Sequence, residues 1–309
     1  MDIAFLKALE EIRTPALNLL FQFITLFGEE VVLIAALCLI YWCVNKRMAT
    51  YILFNFFIIG LLVQALKITF CVPRPWMRDP TLSPVATAIA GASGFSFPSG
   101  HTASSVAMYG SLAMWFRRKG VTVCCCLMIA LIMMSRLYLG VHTPQDVLTS
   151  LMVGTALLYG GRGLFSQIER EPRAANAAFW CGIALAVVVA AYAEFKPYPD
   201  MDGIAALVLD TYKVCGAAIG LFVGWQFEVR LVHFNTDGTL SRRALKYALG
   251  MALIGALLAL KGPSAMLGDK AWAVIKYALI AFAVLGLWPM AFTKWLTPQQ
   301  TCTTGTNAV

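Results

Sequence analysis

Long apolar runs recur along the chain, and they constrain its fold more than any other feature. Four of them are VVLIAALCLIYWCV, ILFNFFIIGLLVQAL, VTVCCCLMIALIMM and AAFWCGIALAVVVAAYA. Each approaches the roughly 20 residues that a helix needs to cross the hydrocarbon core of a bilayer. Only 13% of the residues are charged and 60% are hydrophobic, which is too little charge to cover a soluble domain of this size. The sequence therefore predicts an all-α polytopic membrane protein.

The apolar segments predict a helical bundle of about eight to nine transmembrane helices. The first stretch, 15–44, is interrupted by Gly28, Glu29 and Glu30. It is therefore either a short half-inserted helix followed by a span, or one long tilted helix. The later spans are predicted at 48–70, 99–116, 121–140, 143–165, 177–195, 203–228, 244–261 and 271–293.

The first residues of the chain have a different pattern. They carry charges at several positions and lack the basic-then-apolar order of a cleavable signal. Their apolar side chains recur at helical spacing: Ile3, Phe5, Leu6, Leu9 and Ile12. This pattern predicts that residues 1–14 form a helix lying at the membrane interface.

Basic residues concentrate in alternate connections between the predicted spans. Thirteen of the 24 Lys and Arg residues fall on one side: Lys46, Arg47, Arg117, Arg118, Lys119, Arg162, Arg170, Arg173, Arg230, Arg242, Arg243, Lys246 and Lys294. The more basic side of a membrane protein faces the cytoplasm. The net charge of +8 thus reflects membrane orientation, and we expect no nucleic-acid partner. The long loop 71–97 is predicted to face the periplasm, the cell exterior or a lumen.

Three polar segments fall on that outer side, although they are distant in sequence. They are KITFCVPRP, with Lys67 and Arg74; FPSGH at 97–101; and SRLYLGVHTPQD at 135–146. Cations near helix ends in a membrane are costly unless they have a function. Because all three segments lie at outer helix ends, we expect them to converge on one pocket.

The residue types in these segments suit a phosphate group. Lys67, Arg74 and Arg136 supply three cations, and the arginines can each bind two oxygens. Ser99 and Gly100 lie at a predicted helix N-terminus, where free backbone N–H groups favour an anion. A phosphate monoester repels nucleophiles, so its hydrolysis depends mainly on positioning and on charge stabilisation.

The three segments together resemble the signature of the type 2 phosphatidic acid phosphatase superfamily, which includes lipid phosphate phosphatases and glucose-6-phosphatase. That signature reads K-x6-R-P, then P-S-G-H, then S-R-x5-H-x3-D. The matching positions are Lys67, Arg74 and Pro75; Pro98, Ser99, Gly100 and His101; and Ser135, Arg136, His142 and Asp146. SRLYLGVH and the extra spans after the core are similar to the sphingosine-phosphate phosphatase branch.

The resemblance implies a role for each residue. His142 would attack phosphorus and carry the phosphoryl group, and Asp146 would hold the other ring nitrogen of His142. His101 would protonate the leaving oxygen and then activate water. Lys67, Arg74, Ser99, Gly100 and Arg136 would bind the phosphate. No carboxylate cluster of metal-binding type lies near, so no metal and no cofactor is expected.

Plainer roles remain open for several of these residues. Thr143-Pro144-Gln145-Asp146 is a capping box, so Asp146 caps its helix instead of, or in addition to, orienting His142. Ser99 is alternatively only a helix cap. Arg136 is alternatively a side chain that extends to a lipid headgroup. His233, in a loop on the basic side, reads as an ordinary loop residue.

The predicted function is an integral membrane hydrolase that removes phosphate from a lipid phosphate through a phosphohistidine. Its substrate would be phosphatidic acid, a sphingoid phosphate, or a polyprenyl phosphate or diphosphate. The alternatives are a phosphatase for a soluble monoester such as a sugar phosphate, and a lipid phosphotransferase. We expect the enzyme in the bacterial inner (plasma) membrane, among membrane lipids, with its active site on the extracytoplasmic side.

The chain is predicted to divide into an interfacial helix at 1–14, a catalytic core at 15–165 and accessory transmembrane helices at 166–309. In the accessory part, Gly216, Gly220 and Gly224 form one helix face, which indicates close packing within the chain or a homodimer through that face. Asp210 and Lys213 lie in the same span, either as a functional pair or as a self-neutralising one. The loop 194–202 is a candidate lid or substrate-selecting segment.

Overall fold

The computed structural model describes residues 2–89, 91–92, 94–262 and 264–295, and this part of the chain is helical without a β-strand. The helices are α1 (Asp2–Glu11), α2 (Pro15–Leu26), α3 (Glu30–Val44), α4 (Lys46–Phe70), α5 (100–116), α6 (Lys119–Tyr138), α7 (Pro144–Arg170), α8 (Pro172–Phe195), α9 (Ile204–Val232), α10 (Leu240–Ala259) and α11 (Asp269–Trp295). Short helical turns at Pro75–Arg78, Ala86–Ile89 and Ser264–Leu267 lie in the connections. The predicted all-α class is confirmed.

Five of these helices are long and apolar enough to cross a membrane, and the count rises to six if α2 and α3 form one broken span. The five are α4, which continues to Arg78, and α6, α8, α9 and α11. Helices α5, α7 and α10 were also predicted as spans. Polar side chains explain why two of them fall short of the same criterion, because α7 begins with Gln145 and Asp146 and α10 has two arginines in its first turn, whereas α5 at 100–116 is too short.

Helices α2 and α3 are separate and bend by 46° at the break between them. Gly28 lies in this break, and a side chain there would collide with Ile132 and Ser105 and approach the carbonyl oxygen of His101. The Tyr109 hydroxyl also donates a hydrogen bond to the Phe27 carbonyl at 2.9 Å. The bend is therefore held against α5 and α6, and the predicted alternative of one long tilted helix is wrong.

Helix α1 packs on the end of the bundle that carries the long loop. Its Leu6 and Leu9 are buried against a small cluster formed by Leu82, Leu137 and Val147. The Lys7 ammonium also lies 2.8 Å from the Asp79 carboxylate. The N-terminal residues thus form a helix that contacts Asp79 and Leu82 of the loop 71–97. Its position at the membrane interface stays a prediction.

The glycine face of α9 is covered by α11. A side chain at Gly216 would collide with the backbone of Val274, and one at Gly220 would collide with the backbone of Ala278. A side chain at Gly224 would come within 3.0 Å of the Leu285 side chain and 3.2 Å of the Phe282 backbone. Close packing within one chain therefore uses this face, and a homodimer through the same face, as predicted, would require α11 to leave.

The two ends of the bundle differ in their charged residues. Lys46 pairs with Glu228, Arg47 with Glu169, and Arg230 donates a hydrogen bond to Asn176, all at one end. This basic end also holds His233, which is exposed at the end of α9. The three polar segments singled out in the sequence lie at the opposite end, which we call the pocket end.

Candidate active site

The three polar segments meet at the pocket end. The Ser99 backbone N–H donates a hydrogen bond to the Asp146 carbonyl at 3.2 Å, which joins the second segment to the third. The Lys67 ammonium nitrogen lies 3.9 Å from the position a Gly100 side chain would occupy, which joins the first to the second. Arg74 Nη1 lies 2.9 Å from His142 Nε2, which joins the first to the third.

Arg74 is held by backbone carbonyls on both sides of the pocket. Its Nε donates to the Gly94 carbonyl at 3.0 Å and its Nη1 donates to the Val141 carbonyl at 2.9 Å. The side chain is only 4% exposed. The proline-flanked exit from α4 thus directs this guanidinium inward, towards His142, instead of outward into solvent.

His142 follows a tight turn at the end of α6. Gly140 has a φ of +76°, and a side chain there would collide with Arg13 and press on Pro84. Such a backbone conformation favours glycine. The turn carries the chain from the end of α6 into the buried His142 and then into α7, whose first helical residue is Pro144.

Asp146 acts both as a helix-capping residue and as a partner of His142. Its Oδ2 accepts a hydrogen bond from the Thr143 backbone N–H at 2.7 Å and another from the Ser96 hydroxyl. The same oxygen lies 3.3 Å from His142 Nδ1. A carboxylate at Nδ1 favours the tautomer with its proton on that nitrogen, which leaves the Nε2 lone pair facing Arg74.

The surroundings of His142 also favour its neutral form. Burial, followed by the charges of Arg74, Arg136 and Lys67, lowers the pKa of this imidazole well below its ordinary value, and a hydrogen bond that the ring donates to the Ser96 backbone acts in the opposite direction. A neutral imidazole keeps the lone pair that a nucleophile needs. The lowered pKa and the tautomer therefore both leave an unprotonated Nε2 on His142.

His101 lies in the first turn of α5 and faces the same pocket. Arg136, His142, Arg74 and Lys67 are all within electrostatic range of its ring. Within the described ranges, no hydrogen bond joins this ring to another side chain. The imidazole is therefore available to a ligand in the pocket.

Ser99 is the N-cap of α5 and is fully buried. Its Oγ accepts hydrogen bonds from the Thr102 backbone N–H at 3.4 Å and from the Thr102 hydroxyl at 3.1 Å. The Ser99 side chain is thus a helix cap, which is the alternative role that the sequence left open. The backbone N–H groups of this helix start still lie beside Lys67 and His101.

Arg136 is 2% exposed and lies inside the pocket, so it does not extend to a lipid headgroup as the alternative required. Its Nη1 donates a hydrogen bond to the Thr25 hydroxyl at 3.0 Å. Its Nε and Nη2 are buried and have no hydrogen-bond partner in the described part of the chain. Two adjacent donors of this guanidinium can therefore receive an anion.

Sequence reasoning missed two residues of this site. Ser96 donates to Asp146 and Thr25 accepts from Arg136, yet neither belongs to the three polar segments. Thr25 lies more than a hundred positions from its partner, and no local pattern marks it. Ser96 precedes FPSGH by one position, and only its closeness to that motif could have suggested a role.

The loop that follows α8 also reaches the pocket end. Asp202 and Gly203 line a cavity of about 250 Å³ together with Arg74, Trp76 and Phe95. Lys213 lies 2.7 Å from Asp210 in the adjoining helix. Among the described residues, no group of three or more His, Cys, Asp or Glu side chains forms a metal site.

The chain belongs to the PAP2 superfamily. The family profile described as "PAP2 superfamily" matches residues 48–170, and a second, described as "PAP2 superfamily phosphatase, transmembrane extension", matches residues 212–299. Together they cover more than half of the chain. The resemblance to the type 2 phosphatidic acid phosphatase superfamily is therefore confirmed.

Two curated relatives are named phosphatases. The chain is 27% identical over 239 residues to a protein of Dictyostelium discoideum named "Probable sphingosine-1-phosphate phosphatase", covering 72% of this chain and 56% of that one. It is 41% identical over 68 residues to "Phosphatidylglycerophosphatase B" of Escherichia coli (strain K12), covering 21% of this chain and 27% of that one. The chain thus spans about half, or less, of these relatives.

A solved structure of a PAP2 type phosphatidylglycerolphosphate phosphatase from Bacillus subtilis is also similar. Its sequence is 27% identical, and the match covers 54% of this chain and 85% of that chain with a TM-score of 0.46.

Proposed function

We propose that this protein hydrolyses a lipid phosphate at the pocket formed by Lys67, Arg74, His101, Arg136 and His142. The contact between Arg74 and His142, with Asp146 behind the imidazole, is the observation that carries the proposal most directly. These contacts bring together the nucleophile His142, the carboxylate of Asp146 that orients it and the phosphate-binding cation of Arg74, all of them buried. Membership of the PAP2 superfamily supports the same assignment.

The first step transfers the phosphoryl group to His142. The phosphate enters among the three cations, and Arg74 Nη1 turns from His142 Nε2 to a phosphate oxygen. Nε2 then attacks phosphorus, the bond between phosphorus and the ester oxygen breaks, and that oxygen takes a proton from protonated His101. The lipid alcohol leaves, and Asp146 stabilises the positive charge on the phosphorylated imidazole.

The second step returns the enzyme to its starting state. His101, now neutral, takes a proton from a water molecule whose oxygen attacks phosphorus. The bond between phosphorus and His142 Nε2 breaks, and inorganic phosphate is released. The Gly100 backbone N–H, together with Lys67 and Arg136, stabilises the charge on the equatorial oxygens. The Ser99 N–H, predicted to bind phosphate as well, is engaged by the Asp146 carbonyl. No metal ion takes part in this scheme.

The proposed membrane topology contains eight to nine spans and places the pocket on the extracytoplasmic side. Helices α5, α7 and α10 would cross the bilayer beside the five apolar ones, with their polar residues facing the protein. The basic end of the bundle would face the cytoplasm, which the positive-inside rule supports. Helix α1 would lie at the outer interface, and the bilayer would be the bacterial inner (plasma) membrane.

The proposed division of the chain follows this topology. Residues 1–14 form the interfacial helix, 15–165 the catalytic core and 166–309 the accessory helices. The family profiles support a division between core and extension, because they match two separate stretches. The role proposed for the loop 194–202 is substrate selection, since Asp202 lines the cavity beside Arg74.

The proposed substrates are phosphatidic acid, a sphingoid phosphate, or a polyprenyl phosphate or diphosphate. The names of the relatives support a lipid substrate, since one is named for sphingosine 1-phosphate and the other for phosphatidylglycerophosphate. A pocket at the outer helix ends also suits a headgroup whose tails stay in the bilayer.

A substrate panel tests this function. Purified protein would be assayed for phosphate release from phosphatidic acid, a sphingoid phosphate, a polyprenyl diphosphate and glucose 6-phosphate. We expect kcat/KM for the best lipid to exceed that for the sugar phosphate at least tenfold, since tail burial adds about 0.8 kcal/mol per CH₂. Equal or faster hydrolysis of glucose 6-phosphate would favour the soluble-substrate alternative.

His101→Ala tests the acid step within the same panel. Its loss should slow hydrolysis of a lipid alkyl phosphate by several orders of magnitude, because the alkoxide then leaves without a proton. p-Nitrophenyl phosphate, whose leaving group needs no proton, should lose far less activity. Equal losses for both substrates would remove His101 from the acid role.

A further inference from the structure

Arg136 makes an asymmetric set of contacts. One end nitrogen, Nη1, is engaged by the Thr25 hydroxyl at 3.0 Å, while Nε and Nη2 are buried without a partner in the described residues. In a guanidinium, the Nε–H bond and one Nη2–H bond point in parallel along one edge. A ligand with two oxygens fits this edge and forms two hydrogen bonds with it.

Another arginine of this protein binds two oxygens through the equivalent Nε–Nη2 edge. At the basic end, Arg47 donates from Nε to one oxygen of the Glu169 carboxylate and from Nη2 to the other, the latter at 2.6 Å. This pair shows the geometry that two oxygens adopt against a guanidinium edge. In Arg136 both nitrogens of the corresponding edge are buried without a partner in the described residues, and His101 and Arg74 lie within electrostatic range of this guanidinium.

We propose that Thr25 is a positioning residue, which by holding Nη1 turns the Nε–Nη2 edge of Arg136 towards the phosphate. The inference rests on the proposed function and adds a residue that lies outside the matched stretch 48–170. Without the hydroxyl, Arg136 could rotate and offer its two Nη nitrogens, or engage Glu29, which lies within electrostatic range. Thr25 thus makes helix α2 part of the catalytic unit.

The anchoring of α2 supports this role. The Phe21 ring stacks on Tyr138 with ring centroids 4.2 Å apart, and Gln22 donates a hydrogen bond to Thr87. On the other side of Thr25, Gly28 packs against Ile132. The two α6 residues in these contacts, Ile132 and Tyr138, lie before and after Arg136 in the sequence. The hydroxyl therefore has a fixed position relative to the guanidinium.

Thr25→Val is the main test, because it keeps the shape of the side chain and removes the hydrogen-bond acceptor. Inhibition by inorganic phosphate reports the affinity of the pocket for the anion alone. We expect the inhibition constant to rise about tenfold, and KM for the lipid to rise with it, since a hydrogen bond to a charged group is lost. Thr25→Ser should restore the wild-type constants.

Thr50→Val is the matched control. Thr50 is a buried threonine of α4 whose hydroxyl donates to the Lys46 carbonyl at 2.9 Å, at the basic end. Its loss should leave the phosphate inhibition constant unchanged. If Thr25→Val leaves that constant unchanged in an active enzyme, or if Thr25→Ser fails to restore it, the positioning role is refuted.

A double-mutant comparison separates positioning from a general loss of structure. In an Arg136→Lys background the guanidinium edge no longer exists, so Thr25→Ala should change the phosphate constant by less than twofold. In the wild-type background, Thr25→Ala should raise the inhibition constant for phosphate about tenfold. Equal effects in the two backgrounds would contradict the proposal. Absence of phosphate release from any substrate by the wild-type protein would instead refute the proposed function itself.

Discussion

The two ends of the bundle each bury a cluster of charged side chains, and the clusters differ in how their hydrogen-bonding groups are satisfied. At the basic end, Lys46 lies 2.7 Å from Glu228 and also donates to the Phe234 carbonyl. Lys246 donates to the Asp237 carbonyl and lies over the Phe292 ring. Every one of these charges has a partner within the protein.

At the pocket end, some buried hydrogen-bond donors have no partner among the described residues. Lys67, Arg74 and Arg136 face the two imidazoles of His101 and His142, and Asp146 is the carboxylate bonded within this group. Two nitrogens of Arg136 are buried without a partner in the described part of the chain. Since buried donors without partners cost about 1–3 kcal/mol each, such an arrangement persists where a ligand uses it.

We therefore interpret the charged cluster at the basic end as structural and the one at the pocket end as functional. Buried charge alone does not distinguish them, because Glu228 and Asp146 are each 2% exposed. The two clusters are distinguished by their hydrogen-bond donors, because two donors of Arg136 have no partner in the described residues. Substitutions at the pocket end should therefore change chemistry, and substitutions at the basic end should change stability.

Asp146→Asn should give the largest effect of this comparison. The amide oxygen can still accept from Thr143, but the carboxylate that fixes the His142 tautomer and stabilises its positive charge is lost. We expect kcat to fall about a thousandfold with a melting temperature close to that of the wild type. Steady-state kinetics and thermal unfolding in detergent would measure the two quantities.

Asp79→Asn is the control for that substitution. Asp79 is a loop carboxylate on the same end of the molecule, and hydrogen bonds with Lys7 and Thr81 lower its pKa to about 2. It lies outside the pocket, so its amide variant should keep wild-type kcat. A comparable loss in both variants would mean that Asp146 acts through local structure and not through His142.

Glu228→Gln should affect stability and leave turnover per folded molecule unchanged. The substitution removes the charged partner of Lys46, whose side chain is 33% exposed. Breaking a fully buried pair costs about 3–5 kcal/mol, and the partial exposure of Lys46 lowers the expected loss to about 1–3 kcal/mol. Thermal unfolding in detergent, beside kcat, measures it.

Glu169→Gln provides the matched comparison, because the pair of Glu169 with Arg47 is solvent-exposed on the arginine side. The expected loss is below about 1 kcal/mol. A loss of kcat in Glu228→Gln at unchanged melting temperature would contradict the division between a structural end and a catalytic end.

Chelation should have the smallest effect. Around the two imidazoles, the described residues place Asp146 beside the cations Lys67, Arg74 and Arg136, an arrangement that suits an anion better than a divalent metal ion. Phosphate release should therefore be the same before and after incubation with EDTA. Inhibition that only added metal reverses would require a metal ion in the reaction.

The sequence predicted the helices well because apolar runs and capping residues mark them locally. The span predicted at 48–70 corresponds to Lys46–Phe70, and Thr143 precedes α7 as its capping box predicted. The 46° bend at Gly28 could only be stated as one of two alternatives. It depends on contacts with α5 and α6, which are distant in sequence.

The site followed the same pattern. Its motif residues were identified from their match to the family signature, and their catalytic roles stay predictions. The contacts of Thr25 with Arg136 and of Ser96 with Asp146 join residues that no local pattern relates, so they required the folded chain. The glycine face of α9 was predicted from the sequence. Only the structure shows that the helix packed on this face is α11.

The most direct test of the account is to trap the enzyme with a labelled lipid phosphate and locate the label by mass spectrometry after rapid quenching under alkaline conditions. The account predicts one phosphorylated residue, His142, with the modification absent from the His142→Ala protein, which should release no phosphate. Label on any other residue, or phosphate release by His142→Ala, would contradict it.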